Sequence, residues 1–410
     1  MVQSGNGEEG RGEGPGRRPF LALCAGIVLV AAALRVGGML NDLWLDEIWS
    51  VDNAGSLSSI SQVFTGIHYD NNHYLNTCWI YLCGQRGNWW GYRAPAVLAG
   101  IGTVVVAGLL GRRRSRCGAV MAMAVATTSY VLVLYSSEAR GYAALVFCAL
   151  LSRYALDAYL RDGRRWQAAL FAACAVVGLC SHLAFVSFLC AAAVWCAWQL
   201  RRQRASAARV GRTVIGCFLT PVLTAAWLYQ VDVRYLRIGG GTPAGLFASC
   251  QSALAWSVAA PFGTRLVPVV AAAALLGFVA AGWLLWREQP DQDVVFTVIL
   301  VAVSVGQVAI LGAGRLYVRY FVVCIAFMLL VDGAALARLY ERGPRARAVS
   351  LALLALFVLA NGRQTTVLMR FGRGHYEDAV RFIVTQKIGR AHAELQSRTV
   401  ISYAVFCLKK

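Results

Sequence analysis

Apolar runs of about 20 residues recur along nearly the whole chain, each long enough as a helix to cross a hydrocarbon core of ~30 Å. Hydrophobic residues make up 58% of the sequence and charged residues 14%, which leaves too little polar surface for a soluble domain of this length. The chain therefore reads as an all-α polytopic membrane protein. Its formal net charge is +19, but the arginines stand in short clusters between the apolar runs, as cytoplasmic loops require. Membrane lipids are the expected surroundings, and a nucleic-acid partner is not expected.

Passing those clusters alternately across the bilayer gives a topology. The polar stretch 1–19, with Arg11, Arg17 and Arg18, is expected in the cytoplasm, and 20–40 crosses outward. Segment 93–111 returns to Arg112, Arg113, Arg114 and Arg116. Segments 117–135 and 139–159 pair and end at Arg161, Arg164 and Arg165, while 166–180 and 183–198 pair and end at Arg201, Arg202 and Arg204. Segment 213–228 leads out, 265–286 back, 294–311 out, 320–337 back, and 349–360 out. The expectation is a transmembrane module over 20–362 with about 11 crossings. Gly37-Gly38-Met39-Leu40 offers no convincing small-x-small cleavage site, so the first run reads as a retained span.

Two outer segments, 41–92 and 229–264, are too long to be plain turns, and long ordered loops usually carry function. Each contains a semi-apolar stretch too short to span, 74–83 in the first and 246–260 in the second, expected as interfacial helices. Segment 363–387 reads as the start of a truncated outer soluble domain. Beyond it, 388–410 resembles a translated sequencing adapter and is expected to be a non-native tail. The thirteen cysteines are scattered without zinc spacing, and no phosphate-loop or dinucleotide fingerprint is present, so soluble nucleotide chemistry is not expected.

The polar residues that remain gather on the outer face of this topology. Asp46 and Glu47 stand between bulky apolar residues just past the first span, and Asp70, Asn71, Asn72 and His73 follow in the same loop. Glu138 and Arg140 occupy a tight turn, His182 another, Asp232 and Arg234 open the second loop, and Arg315, Arg319 and Tyr320 precede a late span. Carboxylates at a bilayer surface are costly unless they find partners or do chemistry. Arginine grips phosphate through paired charged donors, and a carboxylate accepts a proton from an attacking hydroxyl, which suits a phosphate-linked lipid substrate.

The ordered motifs Leu-Trp-Leu-Asp-Glu (43–47), Asn-Asn-His-Tyr-Leu (71–75), Tyr-Arg-Ala-Pro-Ala-Val-Leu-Ala-Gly (92–100), Tyr-Ser-Ser-Glu-Ala-Arg-Gly-Tyr-Ala (135–143), Gly-Leu-Cys-Ser-His (178–182) and Arg-Tyr-Phe (319–321) carry a resemblance. Over roughly 20–382 the chain resembles the polyprenyl-phosphate-sugar-dependent glycosyltransferases of the GT-C fold, a bacterial group that includes lipid A aminoarabinose transferase and relatives of protein O-mannosyltransferases. That resemblance implies that Asp46 activates the acceptor, with Glu47 orienting it or binding substrate. It implies that Arg140 holds the donor phosphate, positioned by Glu138, and that Arg319, Tyr320 and His73 contact substrate. The chain lacks the prolines of the His-Pro-Pro-Leu-Tyr-like segment of many relatives, which weakens the transfer of a role to His73.

The expected activity is inverting transfer of one sugar from a polyprenyl-phosphate donor to an envelope lipid, glycan or protein acceptor on the outer side of the cytoplasmic membrane. A divalent metal at Asp46 and Glu47 is a further expectation, although two ligands fall short of a dedicated site. Bland readings stand beside these: an interfacial cap for the acidic pair, a Glu138 ion pair for Arg140, a structural His73, and snorkelling for Arg315 and Arg319. A lipid or polysaccharide transporter, or a non-catalytic assembly subunit, is the alternative from another class.

Overall fold

The computed structural model describes residues 17–84, 89–237, 245–259, 266–287, 291–310, 317–374 and 376. Among them, eight helices are long and apolar enough to cross a membrane, or nine if one bent pair counts as a span, which marks an integral membrane protein. The only β pairing among the described residues is an isolated bridge between Tyr69 and Arg237.

In chain order, α1 (Arg17–Met39) is followed by the short α2 (Leu45–Gly55), α3 (Gln62–Thr65) and α4 (Tyr74–Cys83), then by α5 (Trp89–Arg112). Next come α6 (Arg116–Thr128), α7 (Tyr130–Ser136), α8 (Tyr142–Asp162), α9 (Arg165–Ser181) and α10 (Phe185–Arg202). Helix α11 (Ala207–Thr213) runs through a π-helical turn (Val214–Leu219) into α12 (Thr220–Val231), and α13 (Leu246–Ser257) is short. The chain continues through α14 (Val267–Trp286), α15 (Gln292–Ile310), α16 (Val322–Glu341) and α17 (Pro344–Phe371). The two short helices expected in the outer segments are present as α4 and α13.

Local chemistry sets the helix ends. Ser115 accepts from the Gly118 amide at 2.9 Å and starts α6, and left-handed Gly163 (φ 69°) stops α8 with its amide on the Tyr159 carbonyl. Helices α5, α6, α8 and α16 bury most of their surface against one another, whereas α14 and α17 leave leucines such as Leu276 and Leu356 exposed, as lipid contact allows. Gly111 and Gly118 let α5 and α6 touch through backbone: a Cβ on Gly111 would meet the Gly118 carbonyl oxygen at 2.3 Å.

Two expectations are corrected here. The crossing read as 117–135 is broken, with α6 and α7 meeting at 62°. Side chains from distant helices satisfy the backbone groups that the break frees. Fully buried Arg35 of α1 donates to the Ala126 and Thr127 carbonyls at 3.2 and 3.5 Å, and Asn361 of α17 accepts from the Tyr130 amide at 2.7 Å. The last helix also runs past the expected end at 360 to Phe371, with polar Asn361 buried against the break.

Candidate functional site

The starts of α8, α10 and α16 meet at one end of the bundle, where Tyr142, His182 and Tyr320 lie close together. A small apolar cluster of Leu43, Ile48, Val51, Ile80, Tyr92 and Ala139 seats α2 against α4, the first turn of α5 and the turn before α8. This seating places the motifs at 43–47, 71–75, 92–100, 135–143 and 178–182 together, with 319–321 joining from the turn before α16.

Adjacent in sequence, Asp46 and Glu47 face different partners. Glu47, fully buried, accepts from Arg93 Nε at 2.8 Å and Nη2 at 2.7 Å, from the Ala139 amide at 2.6 Å and from the Trp44 amide at 2.8 Å. Arg93 also donates to the Met39, Asn41 and Asp42 carbonyls, so the pair knots the end of α1 to α2, α5 and the turn before α8. With both oxygens engaged twice, Glu47 is built to hold the site rather than to accept a proton. The last bond also shares an atom with helix capping, since Glu47 is the third residue of α2 and reaches back to its N-cap amide.

Asp46 keeps some access to solvent, its side chain 19% exposed. Its Oδ2 lies 2.9 Å from Arg140 Nη1 and 3.2 Å from Arg319 Nη1. Asn71 fixes both members of this arrangement, donating to the Asp46 carbonyl at 2.6 Å and accepting from Arg140 Nη2 at 2.9 Å. The guanidinium of Arg140 lies over the Tyr142 ring at 4.8 Å and that of Arg319 over the Tyr317 ring at 4.1 Å. Two cations thus converge on one carboxylate at the dipole-positive end of α2. The excess positive charge is suited to a second anion.

Glu138 does not pair with Arg140. Its Oε1 meets Arg373, beyond α17, and its Oε2 is buried without a hydrogen-bond partner among the described residues. Arg373 in turn covers the Trp44 ring at 4.4 Å, and Tyr376 packs edge-on against Trp44. Chain beyond the last helix therefore returns to the acidic motif.

His73 and His182 stack with centroids 4.9 Å apart, beside Tyr142. His182 Nδ1 accepts from the Ala184 amide at 2.9 Å, which places the ring proton on Nε2. Burial, then the charges of Arg140 and Arg319, hold the His182 imidazole down to about 3. His73 is likewise held well below its ordinary value by burial, then by His182, Arg140 and Arg319. Both rings are neutral at pH 7, and His73 Nε2 is a buried nitrogen without a hydrogen-bond partner among the described residues. Gly141 lets the turn approach them, since a Cβ there would lie 1.8 Å from the Ser181 carbonyl oxygen. Tyr320 stands at the edge of this group, its ring 6.5 Å from His182.

The two outer segments are tied together below this group. Asp232, 1% exposed, takes the Tyr74 hydroxyl at 2.5 Å and His68 Nδ1 at 2.5 Å, and the Arg237 amide donates to the His68 carbonyl. Asp232 therefore ends α12, its amide on the Leu228 carbonyl, while its side chain links the two loops.

The structure brings the sequence candidates Asp46, Arg140 and Arg319 into one contact set, with His73 and Tyr320 nearby, and places Glu47 and Glu138 in separate ion pairs with Arg93 and Arg373. Sequence reading misses Arg93 and Arg373. Arg93 carried a signal, a charge one turn inside an apolar run, where a partner is the default; Arg373 carried none. Asp46 and Glu47, considered for a divalent metal, are each engaged by arginine. Arg315, the Gly239–Gly241 hinge and segments 377–387 and 388–410 lie outside the described residues. No protein-family model and no curated protein matches the chain.

Proposed function

We propose that the chain is a membrane glycosyltransferase that moves a sugar from a polyprenyl-phosphate donor to an acceptor hydroxyl, with inversion. The observation that carries this reading is the shared Asp46 Oδ2: two arginines from separate parts of the bundle meet one partly exposed carboxylate, while the neighbouring Glu47 is fully engaged elsewhere. The arginine surplus suits the donor phosphate, and the partial exposure of the Asp46 carboxylate suits a base. In this reaction the acceptor oxygen forms a bond to the anomeric carbon as its proton passes to the Asp46 carboxylate. The bond from that carbon to the phosphate oxygen breaks, and polyprenyl phosphate leaves into the grip of Arg140 and Arg319.

In the finer topology we propose eleven crossings, counting the broken α6–α7 pair, α9, α10 and the α11–α12 helix as spans. The Arg-rich connections at the other end of the bundle then face the cytoplasm and the Asp46 site faces outward. A transporter reading asks for charges along a path through the midplane, and the site charges sit instead at one end of the helices.

The test uses the purified full chain in lipid with a panel of polyprenyl-phosphate sugars and an envelope acceptor extract, following release of polyprenyl phosphate. Arg140→Ala is expected to weaken donor binding and turnover together, by about tenfold or more for a lost charge-assisted contact. A wild type inert across a broad donor panel would sink the assignment.

A further inference from the structure

A cavity of about 580 Å³ opens at the opposite end of the bundle from Asp46, within the size range of small-ligand sites. Helix α5 alone, 24 residues and about 36 Å at ~1.5 Å per residue, separates the two ends. Aspartates and arginines line the cavity together with Gln199 and Gln203, and Leu284 and Leu285 give it one apolar wall.

Of the four carboxylates that line it, the three aspartates are already committed to arginines, and Glu341 stands exposed on the last turn of α16. Asp157 meets Arg113 at 2.7 Å and also pairs with Arg153, Asp291 pairs with Arg114, and Asp293 lies 2.6 Å from Arg114 and 3.5 Å from Arg153. Arg161, exposed on the last turn of α8, lines the cavity with a side chain that makes no hydrogen bond or ion pair among the described residues. Its charge reaches Arg113, whose guanidinium is held below its ordinary value by burial first and by Arg161 second. Gln199 is nine-tenths buried, and among the described residues its side-chain amide forms no hydrogen bond while lining the cavity. The uncommitted Arg161 and Gln199 side chains, the repulsion between Arg161 and Arg113, and aspartates already neutralised by arginine leave room beside Glu341 for a negative ligand rich in acceptor oxygens.

We propose that this cavity binds a phosphate group, held by Arg161 and the Gln199 amide beside Arg113. The site is independent of the Asp46 reading and lies far from it. Phosphate here has two sources, a lipid headgroup resting against the leucine wall or a free phosphate from solution.

Native mass spectrometry of the full chain measures retention of phosphatidic acid against diacylglycerol, and thermal-shift titrations use inorganic phosphate and pyrophosphate. Wild type is expected to prefer phosphatidic acid, or to be stabilised by the free anions, and Arg161→Gln and Gln199→Leu are each expected to weaken that response by about tenfold. Retention of the lipid without response to the free anions assigns the headgroup, and the reverse assigns free phosphate. Arg140→Ala separates the two ends, because binding at the Asp46 site falls in that variant and is untouched by Arg161→Gln. Equal retention of phosphatidic acid and diacylglycerol with no response to the free anions overturns the proposal, as does a phosphate response unchanged in both folded cavity variants.

Discussion

Arg93 grips both oxygens of Glu47, at 2.8 and 2.7 Å, and the pair is almost wholly shielded from solvent. Removing one partner of such a pair strands a buried charge and costs about 3–5 kcal/mol, far more than an exposed ion pair is worth. Glu47→Ala and Arg93→Ala are therefore expected to lower the melting temperature of the detergent-purified protein strongly. The Asp46→Asn variant, whose side chain reaches solvent, is expected to melt close to wild type. Comparable melting of Glu47→Ala and wild type would contradict the holding role given to Glu47.

The broken α6–α7 pair rests on Asn361, which is buried and accepts the Tyr130 amide at 2.7 Å. Asn361→Leu leaves that amide without its acceptor in an apolar setting, an expected loss of about 1–3 kcal/mol. Leu359→Ala, two residues away and exposed on the same helix, serves as the control and is expected to change stability little. Thermal unfolding of the two variants side by side decides the point.

Protonation of His182 gives a pH dependence whose direction is set. Below about pH 6.5 the unfolded imidazole takes up a proton, whereas the folded one refuses it until about 3, because burial and then Arg140 and Arg319 oppose the charge. The unfolded state binds more protons in that window, so folded stability falls as pH drops through it. His182→Gln is expected to flatten part of this slope in melting temperature measured from pH 7 to pH 4. An unchanged slope would place the acid sensitivity on other groups.

Much of the bundle was legible because hydrophobic run length reports directly on helices long enough to cross a membrane. The short helices α4 and α13 were legible for the same reason, being apolar but too short to span. The bend after Thr128 was not, since neither proline nor glycine marks it and its supports, Arg35 and Asn361, come from helices at the two ends of the chain. At the site, order and spacing collected Asp46, Arg140 and Arg319. They did not show which acid meets which arginine: Glu138 is two residues from Arg140 yet pairs with Arg373, because the turn sends the two side chains to opposite sides. Pairing of this kind is a property of packing and leaves no periodic trace in the sequence.

If Asp46 takes the acceptor's proton, as we propose, turnover by Asp46→Asn reads that step alone. The substitution keeps size and polarity while removing the basic oxygen, and the assay follows polyprenyl phosphate released from donor by purified, folded enzyme. Turnover is expected to fall by about 10²–10⁴-fold with the melting temperature near that of wild type. Turnover at the wild-type rate in a folded Asp46→Asn protein would contradict the account.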